Sequence, residues 1–175
     1  MRLKPAELPT TRATDIELEP PAGWRAELAE HLAIGGIRKL RLSGTLVPEG
    51  GGDWRLTARL GATVVQACVV TLAPVTSRIE EEVSRLYLAD MPEMPEGAEV
   101  EMPEDVSLEA LGAVIDLGVV IAEELALALP PYPRAEGVAF DGQLAAAPGV
   151  APMTDDDAKP FAGLKGLRDK LADDD

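Results

Sequence analysis

The side chains able to do chemistry are few. They are the adjacent carboxylates Glu123 and Glu124, the single histidine His31, the single cysteine Cys68 and the run Glu80, Glu81, Glu82. Adjacent carboxylates offer general acid/base work or metal ligation. Neighbouring positions on a helix point about 100° apart, however, so the two cannot easily share one substrate, and a solvated helix face accounts for them. A lone histidine can act as a base, but His31 has no Ser, Cys or Asp motif beside it and reads as a structural or surface residue. The glutamate run offers oxygens to a divalent cation, yet alternate residues of a strand face opposite sides, so all three cannot chelate one ion. The sequence has no G-x-S-x-G, Walker A, strand-borne G-x-G-x-x-G or H-E-x-x-H motif. With one His and one Cys most nucleophilic schemes are closed, and the chain reads as neither an enzyme nor a cofactor binder. The remaining candidates are cations. Lys39, Arg41, Arg55 and Arg59 share a face if their two strands pair, giving either a small phosphate-binding patch or the ordinary solvated face of a half-exposed sheet. Arg134 adds a planar fork suited to carboxylate or phosphate, or is a surface arginine.

The elements that must position these groups are legible from periodicity. Leu117, Ile121, Leu125 and Leu129 recur every four residues with Val120 and Ala128 beside them, which predicts a helix near 116–129. Asp116 is placed to cap it and Pro130 to end it. An earlier helix over Trp24–Ile34 is expected from Trp24, Leu28 and Leu32, with Gly35-Gly36 as its stop. Strands are expected at Ile37–Val47, Trp54–Ala67 and Thr76–Leu88, the first two joined by the turn Pro48–Asp53. Asp15–Glu19 alternates enough for a short edge strand. Together these give an α+β fold: an antiparallel sheet of about four to six strands with the two helices packed on it.

The organisation expected is a loosely held leader over 1–14, a single domain over 15–134 with a long acidic loop near 90–109, a linker over 135–159 and a tail over 160–175. In the tail Phe161, Leu164, Leu167 and Leu171 form an amphipathic stripe that docks on the domain or on a partner. The net charge is −15, with 16 Lys and Arg against 31 Asp and Glu. Such an excess works against a simple nucleic-acid surface and favours basic partners. One cysteine excludes an intramolecular disulfide and fits a reducing cytoplasm. The N-terminus lacks an apolar signal region, and no run is long enough to cross a membrane.

Three segments, in order, carry a resemblance. They are "VVQACVVTLAPV" over Val64–Val75, "IDLG…EELALALPPYPR" over Ile115–Arg134 and "PFAGLKGL" over Pro160–Leu167. They resemble the YceD family, named for accumulation of large-subunit ribosomal RNA, in its alphaproteobacterial-type form. The resemblance implies a cytoplasmic, non-enzymatic factor that supports accumulation of 23S rRNA and biogenesis of the large subunit. Its partner would be the rRNA precursor or a basic ribosomal protein, with no role for DNA or membrane. It also implies a C-x-x-C pair and a later Cys or His, donors suited to zinc. Here the second cysteine position is Thr71 and Tyr132-Pro133-Arg134 holds no ligand. One thiol cannot build that site, so no metal is expected and Cys68 reads as a small buried hydrophobe. Two modes of action follow. RNA is held on Lys39, Arg41, Arg55, Arg59 and Arg134; or the acidic loop and the tail stripe chaperone a basic partner without touching RNA.

Overall fold

A computed structural model describes residues 1–91 and 107–138, and the fold it shows lies within Met1–Glu136. The strands are β1 (Arg2–Leu3), β2 (Thr14–Leu18), β3 (Gly36–Gly50), β4 (Asp53–Ala67), β5 (Pro74–Leu88), β6 (Ser107–Ala110) and β7 (Ile115–Asp116). The helices are α1 (Ala22–His31) and α2 (Leu117–Ala128). A five-stranded sheet runs β2-β3-β4-β5-β6, and β1 and β7 form a separate two-stranded ribbon. The chain is therefore α+β, but its sheet is not wholly antiparallel, because β6 joins β5 in parallel. A parallel neighbour needs a long connection, and β6 follows β5 after residues 89–106. Residues 92–106 of that stretch fall outside the described residues, as do the tail and most of the expected linker.

The hairpin β3–β4 is the spine. Gly50, Gly51 and Gly52 all have left-handed φ, from 63° to 97°, a backbone region that residues with a Cβ enter at a cost, and they form its tip. A β-bulge between Ile37 and Lys39 resets the alternation, so that Ile37 and Leu40 both turn inward while Lys39 and Arg41 turn outward. From there Leu42 and Leu46 face Leu60 and Leu56 across the ladder, all four at 0% exposure. Trp54, Val83 and Tyr87 complete the inner face, with Trp54 directly opposite Tyr87. The core is thus aliphatic, as the low aromatic content dictates, with an aromatic pair near one end. Gly44 marks a close approach: a Cβ there would lie 2.2 Å from the Thr57 carbonyl oxygen.

α2 covers β4 and β5 with Leu117, Val120, Ile121 and Leu125, all buried. Each such side chain contributes about 1.5–3 kcal/mol when removed from water. The Asp116 carboxylate accepts from the Gly118 N–H at 2.9 Å, and Leu129 turns extended before Pro130, so both ends of the helix are as the sequence predicts. α1 packs Leu28 and Ala29 against β3. It stops at Ala33, with φ 53°, whose N–H and that of Ile34 close back on Glu30 and Ala29; the stop comes before the Gly35-Gly36 pair. Residues 1–14, expected as a loose leader, are tied in at one point. β1 pairs with β7, and the Leu117 N–H donates to the Met1 carbonyl at 2.9 Å.

Candidate functional site: the outer sheet face and two buried clasps

Lys39, Arg41, Arg55 and Arg59 lie on the outer face of β3 and β4, as the strand alternation requires, and β5 adds Arg78 to the same face. The structure also supplies what sequence reasoning left out, a carboxylate beside nearly every cation. Arg41 pairs with Glu17 of β2, Arg55 with Glu49 at 2.9 Å, Arg59 with Glu82 at 3.3 Å and Arg78 with Glu80 at 2.8 Å. Arg41 and Arg55 hold Glu17 and Glu49 below the usual carboxylate range through these bonds. Gly61 lies beneath the Arg78–Glu80 pair: a Cβ there would come 2.9 Å from the Arg78 guanidinium, so the glycine lets the pair lie flat on β4. Lys39 forms no ion pair among the described residues.

A cleft of about 530 Å³ opens at one end of this face. It is lined by Pro20, Pro21 and Ala22 at the start of α1, together with Glu19, Arg25, Lys39, Arg41 and Arg78. Arg25 donates to the Arg38 carbonyl at 3.1 Å; its Nε is buried and has no partner among the described residues. Arg134 does not line this cleft. It is exposed on the segment after α2, which packs at the turn between β4 and β5.

The inner face holds one buried cation, which the sequence reading missed. Arg85 of β5, 5% exposed, points into the sheet's core side and meets three carboxylates. Its Nε and Nη2 donate to Glu124 at 3.2 and 2.8 Å, and its Nη1 donates to Glu123 at 2.7 Å and to Glu109 of β6. Burial opposes the charged guanidinium, but the bonds to Glu124 and Glu123 more than offset this, and Arg85 keeps its proton above the usual arginine range. Glu123 and Glu124 are therefore not a purely solvated face, although Glu123 stays half exposed. Adjacent positions do reach one group here, because a guanidinium has donors on two edges. Their shared partner is an arginine that locks α2 and β6 to β5. The Tyr87 hydroxyl is buried beside this cluster without a partner among the described residues, and burial, with Glu109 nearby, pushes it up to about 12.

Cys68 is buried, as expected, and is more than a small hydrophobe. Its Sγ accepts the N–H groups of Val70, Thr71 and Ala135 at 3.4–3.5 Å. The Thr71 side chain first and these N–H groups next pull the thiol down to about 6. The Val69 N–H donates to the Pro133 carbonyl at 2.9 Å and Gln66 Nε2 to that of Pro130 at 3.1 Å, so the turn and the segment after α2 form one clasp. With Thr71 in the second position and no ligand on 132–135, this donor set does not fit zinc; no cluster of metal-ligating side chains occurs among the described residues. His31 is exposed in the last turn of α1. Phe161, Leu164, Leu167 and Leu171 lie outside the described residues.

No helix among the described residues is long and apolar enough to cross a membrane. Comparison with curated proteins and with solved structures gives no match. The family model described as "Large ribosomal RNA subunit accumulation protein YceD" matches residues 56–168, from β4 through the Cys68 turn, the Arg85 strand and α2. That span is well over half of the chain and contains all three segments of the resemblance, so the chain belongs to the YceD family.

Proposed function

We propose that this chain is a non-enzymatic cytoplasmic factor that supports 23S rRNA accumulation and large-subunit biogenesis by holding RNA on the outer face of its sheet. The family name supports the process. The observation that carries the mode of action is the gathering of Lys39, Arg41, Arg55, Arg59 and Arg78 on one face. The described residues hold 12 Lys and Arg against 17 Asp and Glu, a net of −5, and the other −10 lies outside them. The non-enzymatic reading is supported by Glu123 and Glu124 being engaged by Arg85.

One observation favours a second reading, in which the chain shields a basic ribosomal protein. Four of the five outer-face cations already have carboxylate partners, which leaves the excess charge of the chain acidic. Gradient sedimentation of the tagged protein from lysate, with and without RNase, separates the two. Co-migration with large-subunit precursors that RNase abolishes supports the RNA reading. A basic ribosomal protein retained after RNase supports the second.

A further inference from the structure

We infer that the cleft between the start of α1 and the outer end of β3 is a phosphate-binding site for a single-stranded RNA segment. The inference rests on the RNA reading above and narrows it from a whole face to one end. Its geometry differs from that of the rest of the face. At the hairpin tip Arg55 is matched one-to-one by Glu49, and mid-sheet Arg59 by Glu82. In the cleft four cations, Arg25, Lys39, Arg41 and Arg78, come from three separate elements. Against them stand Glu19, which lines the cleft, and Glu17 and Glu80, which pair with Arg41 and Arg78. One positive charge is left over, and Lys39 and Arg25 make no ion pair among the described residues. Arg25 lines the cleft with its guanidinium held to the Arg38 carbonyl at 3.1 Å, and its Nε is a buried donor with no partner among the described residues.

The start of α1 adds to the field. Pro21 occupies the cap position and supplies no side-chain acceptor, so the first-turn N–H groups of this ten-residue helix lack a cap beside the cleft. The exposed pairs Arg41–Glu17 and Arg78–Glu80 hold weakly in water, so a phosphate can exchange for either carboxylate. Arg25, Lys39 and Arg41 precede the span matched by the family model, and Arg78 lies within it.

The test is fluorescence anisotropy with a labelled single-stranded RNA of about 12 nucleotides, titrated into the full chain over a range of salt. Three variants are compared with wild type: Lys39→Glu, Arg25→Gln and, at the far end of the face, Arg55→Gln. Each is first checked for an unchanged urea midpoint. Lys39 is exposed and makes no ion pair among the described residues, so its variant is expected to fold, and Lys39→Arg serves as the restoring control. The expected result is a loss of about tenfold or more in Lys39→Glu with a shallower salt slope, by about 0.7 per lost phosphate contact. Arg25→Gln weakens binding in the same direction, and Arg55→Gln stays within about twofold of wild type. Inorganic phosphate competes at millimolar concentration if the site takes the phosphate group itself. Equal losses in Arg55→Gln and Lys39→Glu overturn the cleft and leave the broad face standing. Wild-type binding in Lys39→Glu and Arg25→Gln overturns it as well. No RNA binding by the wild type at low salt overturns the RNA reading and the cleft together.

Discussion

Replacing Arg85 with Met should loosen α2 and β6 from the sheet without touching the outer face. The side chain is 6% exposed and makes hydrogen bonds to Glu109, Glu123 and Glu124, so the variant leaves three carboxylates facing one another over an apolar stub. Removing one partner of a buried ionic cluster costs about 3–5 kcal/mol. Here the carboxylates are partly hydrated, Glu124 at 21% exposure, Glu109 at 35% and Glu123 at 50%, which places the loss at the low end, about 3 kcal/mol. For a chain of this size that corresponds to a fall in melting temperature of about 10 °C. Urea unfolding followed by Trp fluorescence reads the change, since Trp54 lies opposite Tyr87 two residues along β5 from Arg85. The single carboxamides order the contributions: Glu124→Gln, losing the negative charge that two Arg85 donors meet at the more buried site, costs about 2 kcal/mol, and Glu123→Gln under about 1. Wild-type stability in Arg85→Met, or a larger cost for Glu123→Gln than for Glu124→Gln, would refute the reasoning.

Further outcomes follow from the same structure. Gly44→Ala forces a Cβ to within 2.2 Å of a backbone oxygen that cannot swing away, and should cost about 3 kcal/mol or more in urea unfolding. Asp116→Ala removes the α2 cap and the 2.8 Å bond from Arg2, for about 1–2 kcal/mol. Arg2, the capping N–H of Gly118 and the nearby N-terminus hold Asp116 below its ordinary value, so its share of stability is complete above about pH 4 and is lost as pH falls through the depressed value. Arg2→Gln should flatten that acid limb. Cys68, pulled down to about 6, favours the thiolate in the folded chain, whereas the unfolded thiol titrates near about 8.5. Stability should then rise between about pH 6 and about pH 9, and Cys68→Ala should abolish the rise; an identical slope in the variant contradicts the thiolate clasp.

The parts legible in the sequence were those with a sustained period. The four-residue repeat from Leu117 and the alternation through Leu56, Ala58, Leu60, Ala62 and Val64 fixed α2 and β4 to within a residue or two at their ends. The outer-face cations followed from the same alternation. The carboxylates that pair with them did not, because Glu17 and Glu82 arrive from strands on either side of the hairpin. β6 and the β1–β7 ribbon have two to four residues each, too few to show a period. Arg85 did leave a signal. It shares the odd-numbered positions of Ile79, Val83 and Tyr87, so on a strand with that inward face it had to be a buried cation needing carboxylates. The adjacent Glu123 and Glu124, the charged residues within α2, were the pair to look for.

The central claim, that this YceD-family chain acts by holding large-subunit RNA on its outer sheet face, is tested most directly by ultraviolet crosslinking in cells followed by sequencing of the bound RNA. The account predicts crosslinked fragments from the 23S precursor in the wild type and their loss in Lys39→Glu combined with Arg41→Glu, with the protein still folded. Absence of 23S crosslinks alongside an RNase-resistant basic ribosomal protein partner would contradict it.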